Sequence, residues 1–412
     1  MPRRVVDAAG SFYSSEMPMA TFEILHPIIL IFRLHHRLLA AVCLAIAVLM
    51  SACADESPLL DVPSQMTEAP APGYELAVDS ARTAARKLVR MDHLPGVSVA
   101  VGRGSKLVYA EAFGWADLSN EVLATPRTLY PVGSISKSMT ATAAGLLRER
   151  GRLDFDVPIQ KYLPDFPEKR WPITTGQLMG HIAGVVRSGG MAEALRRARC
   201  DNARAAAADV VKDTLIFEPG TRWQYSNFGY QLVGAVVEAA AGEPYLAFMD
   251  REVFTPAGME QTVPDLGNEA GEAVKYDRAS FGTLRRGQEI DMSCPMAAGG
   301  FLSTPTELVR FGFAMLNRTI LDSATVELFW TPQRLKSGAP TTYGYGWQIR
   351  NVSLGGKDEG PNTRLISHGG AVLGGQAALM ILPDLDLVVA VMMNGTGDPS
   401  GLATDIARFF RR

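Results

Sequence analysis

The alternation of apolar and polar positions predicts a helix and a β-hairpin between residues 75 and 113. Residues 75–91 repeat apolar side chains every three or four positions, which is typical of an amphipathic helix. Residues 96–102 and 106–113 then alternate apolar with small or polar side chains on either side of Arg103-Gly104-Ser105. Two such runs joined by a glycine-containing turn predict a hairpin.

The middle and the end of the chain follow different patterns. Residues 138–330 favour helices and loops, and the helical spacing is clearest in three segments: 205–211, 230–241 and 306–316. Towards the C-terminus, short apolar runs separated by Gly- or Asp-rich turns predict four strands: 343–349, 364–368, 377–382 and 387–393. A last helix is predicted over residues 402–411.

Strands at both ends of the chain with helices between them predict an α+β fold. We expect a mostly antiparallel β-sheet that is formed by both chain ends and flanked by helices. Residues 138–330 would then be inserted as a mainly helical lobe. The domain as a whole is expected to span residues 75–412.

The N-terminal residues have a composition of their own. Residues 38–50 form an apolar run that is short for a membrane-spanning helix, and a basic flank precedes it. Small residues follow before Cys53, so residues 1–53 resemble an extension with a bacterial lipoprotein signal in which Cys53 is lipidated. An uncleaved membrane anchor is the alternative. Residues 54–74, which are rich in Pro, Ser and acids, are expected to form a flexible tether.

This signal predicts where the protein is found and bears on its cysteines. We expect a lipid-anchored protein of the bacterial cell envelope that faces the periplasm or the exterior. Translation from Met17 or Met19 would give such a signal a more usual length. Cys200 and Cys294 are able to pair in an oxidising compartment, but we expect them to be two unpaired buried thiols.

The composition argues against several classes of partner and cofactor. Lys and Arg number 40 against 43 Asp and Glu, and this net charge of −3 gives no support for a nucleic-acid partner. The sequence has no His-x-x-x-His, no Cys-x-x-Cys and no Gly-Lys-Ser/Thr motif. We therefore expect neither a metal nor a nucleotide cofactor.

Ser134 and Lys137 form the one Ser-x-x-Lys motif of the sequence. They lie where a predicted helix, residues 135–150, begins. A spacing of three residues places the hydroxyl and the amine on the same helix face. A lysine desolvated there has a lowered pKa and can accept the serine proton, while the helix N-terminus offers N–H groups to an oxyanion. By itself the motif occurs by chance about once in a chain of this length.

Two further segments offer partners for such a nucleophile. Tyr225 is able to act as a general base and Asn227 to hold a lysine and a substrate amide, the alternative being a loop that packs under the next helix. His368-Gly369-Gly370 ends a predicted strand, where glycines admit a substrate and the N–H of Ala371 is able to bind an oxyanion. A β-turn with an exposed histidine is the alternative there. His181 is interpreted as structural.

Together these residues resemble the motifs of the serine β-lactamase and penicillin-binding-protein superfamily, specifically its class C-like branch. Ser134-Ile-Ser-Lys137, Tyr225-Ser-Asn227 and His368-Gly-Gly370 have the order and approximate spacing of that family. Residues 161–169 and 367–371 are most similar to the mitochondrial serine β-lactamase-like proteins and their bacterial relatives. The resemblance extends from about residue 80 to residue 410.

The resemblance implies a β-lactamase/transpeptidase-like fold and a serine hydrolase that passes through an acyl-enzyme. Ser134 would be the nucleophile, and Lys137 and Tyr225 would share the role of general base. The N–H groups of Ser134 and Ala371 would hold the oxyanion. The substrate-binding residues would be Asn227, His368, Gly370 and Ala371.

One position departs from the family. Efficient class C β-lactamases carry a lysine where this chain has His368, and a largely neutral histidine grips a substrate carboxylate less well. We therefore expect a D-amino-acid peptidase or an esterase that acts on a small-molecule or peptide substrate, rather than an efficient β-lactamase. The alternative from another class is a penicillin-interacting binding or self-assembling scaffold protein with the same fold and no turnover. Self-association stays open in either case.

Overall fold

The computed structural model describes residues 62–186, 199–208, 210, 214–267, 269–278, 283–355 and 362–411. Its main sheet has eight strands: β1 Ser64–Gln65, β2 Gly96–Arg103, β3 Lys106–Asp117, β4 Val122–Leu123, β10 Gln348–Val352, β11 Thr363–Val372, β12 Gly375–Leu382 and β13 Leu387–Met393. The strand order is β1-β3-β2-β13-β12-β11-β10, with β4 paired to β3, and every pairing is antiparallel.

The segment between β4 and β10 contains most of the helices and three short sheet pairings. The α-helices among the described residues are α1 Glu75–Met91, α2 Ser136–Glu149, α3 Thr175–Met179, α4 Ala203–Ala207, α5 Asn227–Ala241, α6 Tyr245–Met249, α7 Thr255–Ala257, α8 Met296–Gly299, α9 Pro305–Leu316, α10 Ser323–Phe329 and α11 Pro399–Phe409. The remaining strands are β5 Tyr130–Pro131, β6 Val263–Pro264, β7 Tyr276–Arg278, β8 Leu284–Arg286 and β9 Phe301–Ser303. The predicted lobe is thus mainly helical but not purely so.

The two ends of the chain meet at the pairing of β2 with β13, where Val101 is opposite Val389. Side chains alternate between the two faces of these strands. Val101 and Val389 belong to a core shared with α1 and α11, whereas Ala100 and Ala390 belong to a second core shared with α2, α5 and α9. Because both faces are covered, every residue of β13 is buried. The α+β prediction, with one antiparallel sheet formed by both chain ends, is confirmed.

Part of the predicted tether is wrong. Val62 is buried, Ser64 pairs with Phe113 on β3, and the Ala71 N–H donates to Val108 O at 2.9 Å. This segment therefore adds a short edge strand to the sheet instead of forming a flexible tether.

Residues 1–61, which include the proposed signal and Cys53, lie outside the described residues. Within the described ranges no single helix is long and apolar enough to span a membrane, and one pair bent by 80°, Asn227–Ala241 with Tyr245–Ala257, meets the length and composition criteria together.

The predicted strand at 343–349 is mostly a turn. Gly346 has φ +81°, and a Cβ on Gly344 would overlap Phe329 O, so the chain bends here and β10 begins only at Gln348. The segment expected to be helical from residue 205 to 211 is the shorter α4, and residue 211 lies outside the described residues. These differences matter for the site, because the turn contributes Tyr343.

Cys200 and Cys294 form a disulfide, so the expectation of two unpaired thiols was wrong. The residues are 94 positions apart in sequence, and their Cα atoms lie 4.9 Å apart. Cys200 precedes α4 and Cys294 precedes α8, and both helices pack on α5. Sequence spacing carries no information on this approach, which only the packing of the lobe creates.

Candidate active site

Two glycines bring the nucleophile turn against β11. The turn Gly133–Ile135 leads into α2, and Gly133 has φ +50°, where a side chain would be strained. A Cβ on Gly133 would lie 2.6 Å from Ala371 N, and one on Gly370 would overlap Val132 O. The absence of both side chains therefore lets the backbones touch. It places Ala371 N directly beside the residue that precedes Ser134.

Ser134 and Lys137 are within hydrogen-bonding distance, as their spacing predicted. Lys137 Nζ lies 3.0 Å from Ser134 Oγ and donates to Ala298 O of α8 at 2.5 Å. The lysine side chain is completely buried. Burial disfavours the charged ammonium and holds the pKa of Lys137 well below its usual range. An uncharged amine at this distance is able to take the proton of the serine.

Tyr225 approaches the same lysine from the loop that precedes α5. The centroid of its ring lies 4.9 Å from Lys137 Nζ. Ser226 caps α5, because its hydroxyl accepts from the Gly229 N–H at 2.9 Å. Asn227 is the first residue of α5, which begins three residues earlier than its apolar pattern predicted. The structure therefore brings Ser134, Lys137 and Tyr225 together. Asn227 follows Tyr225 at the N-terminus of α5.

His181 supports this loop, a role that its sequence context only hinted at. Its Nδ1 accepts from the Ser226 N–H at 3.1 Å, and its ring centroid lies 4.3 Å from that of Tyr225. The residue has φ 60°, which few side chains adopt. Burial, followed by the proximity of Lys137 and His368, holds the pKa of His181 well below its usual range. The interpretation of His181 as structural agrees with these contacts.

His368 is buried and forms hydrogen bonds with both ring nitrogens. Nε2 lies 2.8 Å from the Tyr343 hydroxyl, and Nδ1 donates to Gly369 O at 2.6 Å. Burial, and to a lesser extent Lys137, lowers the pKa of His368 to about 3. The alternative of an exposed histidine in a turn is wrong, because His368 is 2% exposed and lies within β11. The histidine is uncharged at neutral pH.

A cleft of about 380 Å³ connects these residues. Ser134 and Tyr225 line it, together with the β11 residues predicted to bind substrate: His368, Gly370 and Ala371. The sequence did not single out four further polar side chains that line the cleft: Gln348, Gln376, Asp398 and Ser400. Gln348 and Gln376 come from strands that pair with β11, and Asp398 caps α11. The Asp-Pro pair at the start of α11 is typical of a helix N-terminus. No pattern in the sequence indicated that this helix begins at the cleft.

The site contains the parts of an acyl-transfer centre. It combines a hydroxyl, a buried amine with a lowered pKa, a tyrosine and the N–H of Ala371 against the preceding Gly133. In the part of the chain that the structure describes, no three His, Cys, Asp or Glu side chains cluster in a way that would hold a metal ion. The chemistry that the arrangement is able to perform is nucleophilic attack on a carbonyl carbon.

Comparisons with known proteins cover the same part of the chain. The family model described as Beta-lactamase matches residues 81–410. "Serine beta-lactamase-like protein LACTB, mitochondrial" of Mus musculus is 28% identical, over 83% of this chain and 79% of its own length. "Penicillin-binding protein 4*" of Bacillus subtilis (strain 168) is 26% identical, over 66% of this chain and 62% of its own. The structure of the octameric penicillin-binding protein homologue from Pyrococcus abyssi is similar with a TM-score of 0.68 and 26% identity, over 79% of this chain and 76% of that one.

Proposed function

The chain belongs to the β-lactamase family, and we propose that it is a serine hydrolase that forms an acyl-enzyme on Ser134. One observation carries the proposal. A completely buried lysine amine, whose pKa is lowered because it is desolvated, lies 3.0 Å from the serine hydroxyl. Such an amine has little other use in a protein interior, where an unpaired ammonium is costly. The β-lactamase/transpeptidase-like fold and the family resemblance expected from the motifs are both confirmed.

The reaction follows from the positions of the atoms. Lys137 Nζ takes the Ser134 proton while Oγ forms a bond to the substrate carbonyl carbon. The N–H groups of Ser134 and Ala371 bind the oxygen that becomes negative. When the tetrahedral intermediate collapses, the bond to the amine or alcohol breaks, and that leaving group receives the proton through Lys137 or Tyr225. Water then attacks the carbonyl carbon of the acyl-enzyme while Tyr225 takes its proton, the bond to Ser134 Oγ breaks, and Oγ receives that proton as the acid leaves.

The substrate we propose is an amide, a peptide or an ester without a strict need for a carboxylate. His368 stands where efficient class C β-lactamases carry lysine, and it is uncharged. An uncharged His368 suits a D-amino-acid peptidase or an esterase better than an efficient β-lactamase. Asn227 is proposed to position Lys137 and the substrate amide from the start of α5.

The test compares the full-length protein with Ser134→Ala. Both are incubated with a fluorescent penicillin, a panel of p-nitrophenyl esters and D-Ala-D-Ala peptides. We expect covalent labelling and turnover in the wild type and neither in Ser134→Ala. If the wild type shows no labelling and no turnover above the Ser134→Ala background, the hydrolase proposal fails. Stoichiometric labelling without turnover would favour a binding or self-assembling scaffold protein instead.

We further propose that the protein is lipid-anchored at Cys53 in a bacterial cell envelope and able to self-associate. The apolar run and the small residues before Cys53 support the anchor. The similar penicillin-binding protein homologue from Pyrococcus abyssi is octameric, which makes self-association worth measuring here. We expect membrane-fraction protein to carry acyl chains by intact-mass analysis and Cys53→Ala to lack them. An unmodified N-terminal segment in the wild type would contradict the anchor, and a monomer by light scattering would contradict self-association.

A further inference from the structure

The hydrogen bonds of His368 fix the position of its proton. Gly369 O is a carbonyl oxygen and can only accept, so the Nδ1 that lies 2.6 Å away must carry the hydrogen. In the neutral ring Nε2 is then bare and can only accept, and the donor that faces it is the Tyr343 hydroxyl, 2.8 Å away, which also hydrogen-bonds to Tyr230. Both nitrogens are thus committed to the protein. The ring has no N–H left to offer to a substrate.

Tyr343 is held firmly enough to impose this arrangement. It lies in the turn before β10 and is 1% exposed. Its ring centroid lies 4.7 Å from that of His181 and 6.5 Å from that of Tyr225. Burial raises the pKa of Tyr343 well above its usual range, so its hydroxyl remains a donor at all working pH values. This packing fixes the orientation of the Tyr343 ring, so its hydroxyl is directed at Nε2 of His368.

The contact with Tyr343 matters because His368 is a basic side chain of the cleft. Among the described side chains that line the cleft, His368 is the one able to gain a positive charge, and Asp398 is the one with a formal charge at neutral pH. Asp398 is exposed and caps α11. The titratable groups that face the His368 ring come from three loops and from α2: Tyr343, Tyr225, His181 and Lys137. None of these four groups is an acid that would draw a proton onto the ring.

We propose that Tyr343 determines substrate specificity, because its hydroxyl occupies Nε2 of the neutral His368 ring and leaves the cleft without an N–H there for a substrate carboxylate. The cleft then takes acyl donors that are uncharged or cationic where they face His368 and Asp398. A carboxylate in that position would meet a ring with no free N–H and a like charge on Asp398. This inference rests on the proposed acylation of Ser134, whose substrate class it narrows.

The first test measures acylation with two β-lactams that differ by one charge. Benzylpenicillin carries a carboxylate and its methyl ester does not, and intact-mass analysis follows the adduct on Ser134. We expect the wild type to react faster with the ester. In Tyr343→Phe no hydroxyl occupies Nε2, so the ring is able to hold a proton there and donate it to the carboxylate, and the rate ratio should move several-fold towards the acid.

Tyr345→Phe is the matched control. Tyr345 is a second buried tyrosine of the same turn, and its hydroxyl lies away from His368, close to Gly176. Its removal should leave the ratio of the two rates at the wild-type value. An unchanged ratio in Tyr343→Phe, or an equal change in Tyr345→Phe, would overturn the inference while leaving acylation at Ser134 intact.

The second test does not depend on catalysis. In ¹⁵N-histidine-labelled full-length protein, the His368 ring should appear as the neutral Nδ1–H tautomer with constant shifts from pH 5 to pH 9, assigned by its loss in His368→Gln. In Tyr343→Phe we expect the same ring to titrate at higher pH than in the wild type. A wild-type ring that is an Nε2–H tautomer or that becomes charged near pH 6.5 would overturn the inference. If the shifts agree but neither the β-lactams nor any p-nitrophenyl ester or peptide acylates Ser134, the proposed function fails and the account of His368 stands.

Discussion

Ser134 and Lys137 occupy one side of the cleft as a local structure, whereas the wall that faces them is assembled from separate segments. The two residues are three positions apart on one turn, and burial of a single amine is enough to make it a base. The wall combines His368 of β11, Tyr343 of the turn before β10 and Asp398 at the start of α11. A hydrogen bond between two of these segments occupies Nε2 of His368.

This difference teaches where activity and specificity can be changed separately. Because the base is activated by desolvation, changes in the wall should leave the chemistry of Ser134 in place. Because a hydrogen bond occupies Nε2 of His368, the loss of one hydroxyl group is enough to change what the wall offers to a substrate carboxylate. The predictions below test the two sides of the cleft and the glycine contact that joins them.

The largest effect is expected from Lys137→Met on the nucleophile side. The substitution removes the base and keeps a side chain of similar length, so acylation should fall about 10³-fold. The thermal midpoint should not fall, since an apolar chain replaces a buried amine. The rate of acylation by a p-nitrophenyl ester and calorimetry measure the two effects. A rate within ten-fold of the wild type would mean that another group is the base.

The next effect is expected from Gly370→Ala, which separates the two sides. A Cβ there would overlap Val132 O, so β11 must move away from the nucleophile turn. We expect a loss of about 2–4 kcal/mol in the free energy of unfolding and about 10²-fold in acylation.

Gly369→Ala is the control for this contact. The nearest atom to a Cβ on Gly369 is Ala377 O at 3.9 Å, so its stability should be close to that of the wild type. Denaturant unfolding compares the two variants. Equal stability of both would show that the contact between Gly370 and the nucleophile turn is not needed.

A smaller effect is expected from His181→Ala. It leaves the Ser226 N–H without its acceptor and removes the ring that packs on Tyr225, so acylation should fall about ten-fold. Asn tolerates the left-handed backbone and offers an acceptor, so His181→Asn should recover part of the loss. The acylation rates of both variants, measured at a saturating concentration of ester, show whether an acceptor for the Ser226 N–H restores activity. Equal loss in the two variants would point to the ring alone.

The smallest effect is expected from Asp398→Asn in the wall. Asn caps a helix as well as Asp does, so the hydrogen bond to the Gly401 N–H and the thermal midpoint should be kept. Removal of an exposed charge should raise acylation by benzylpenicillin about two- to five-fold and leave its methyl ester unchanged. The effect should shrink at high salt. Equal changes with both compounds would remove Asp398 from the account of specificity.

The sequence predicted the local parts of this molecule well and the long-range parts poorly. The helix over Glu75–Met91 and the strand Leu387–Met393 have the predicted bounds, because apolar periodicity reports burial directly. Ser134 and Lys137 were predicted to meet because a helix fixes the geometry of three-residue spacing. The motifs also predicted Tyr225 and His368 to line the same cleft, through the family resemblance.

The features that were missed all depend on contacts between distant segments. The pairing of Cys200 with Cys294 and the edge strand at Ser64–Gln65 arise from packing that no local pattern encodes. The commitment of both His368 nitrogens requires Tyr343, whose segment was predicted to be a strand but forms a turn around Gly344 and Gly346. A histidine in a motif shows which group is present, but its proton depends on its partners.

The pH dependence of Ser134 acylation tests the central claim most directly. The lowered pKa of Lys137 means that the amine is a free base above that value, so protonation should limit the rate only at lower pH. We expect the acylation rate with an uncharged p-nitrophenyl ester, followed by stopped flow, to reach a plateau well below pH 10. A rate that rises about ten-fold per pH unit towards an ordinary lysine pKa of about 10.4 would contradict the account.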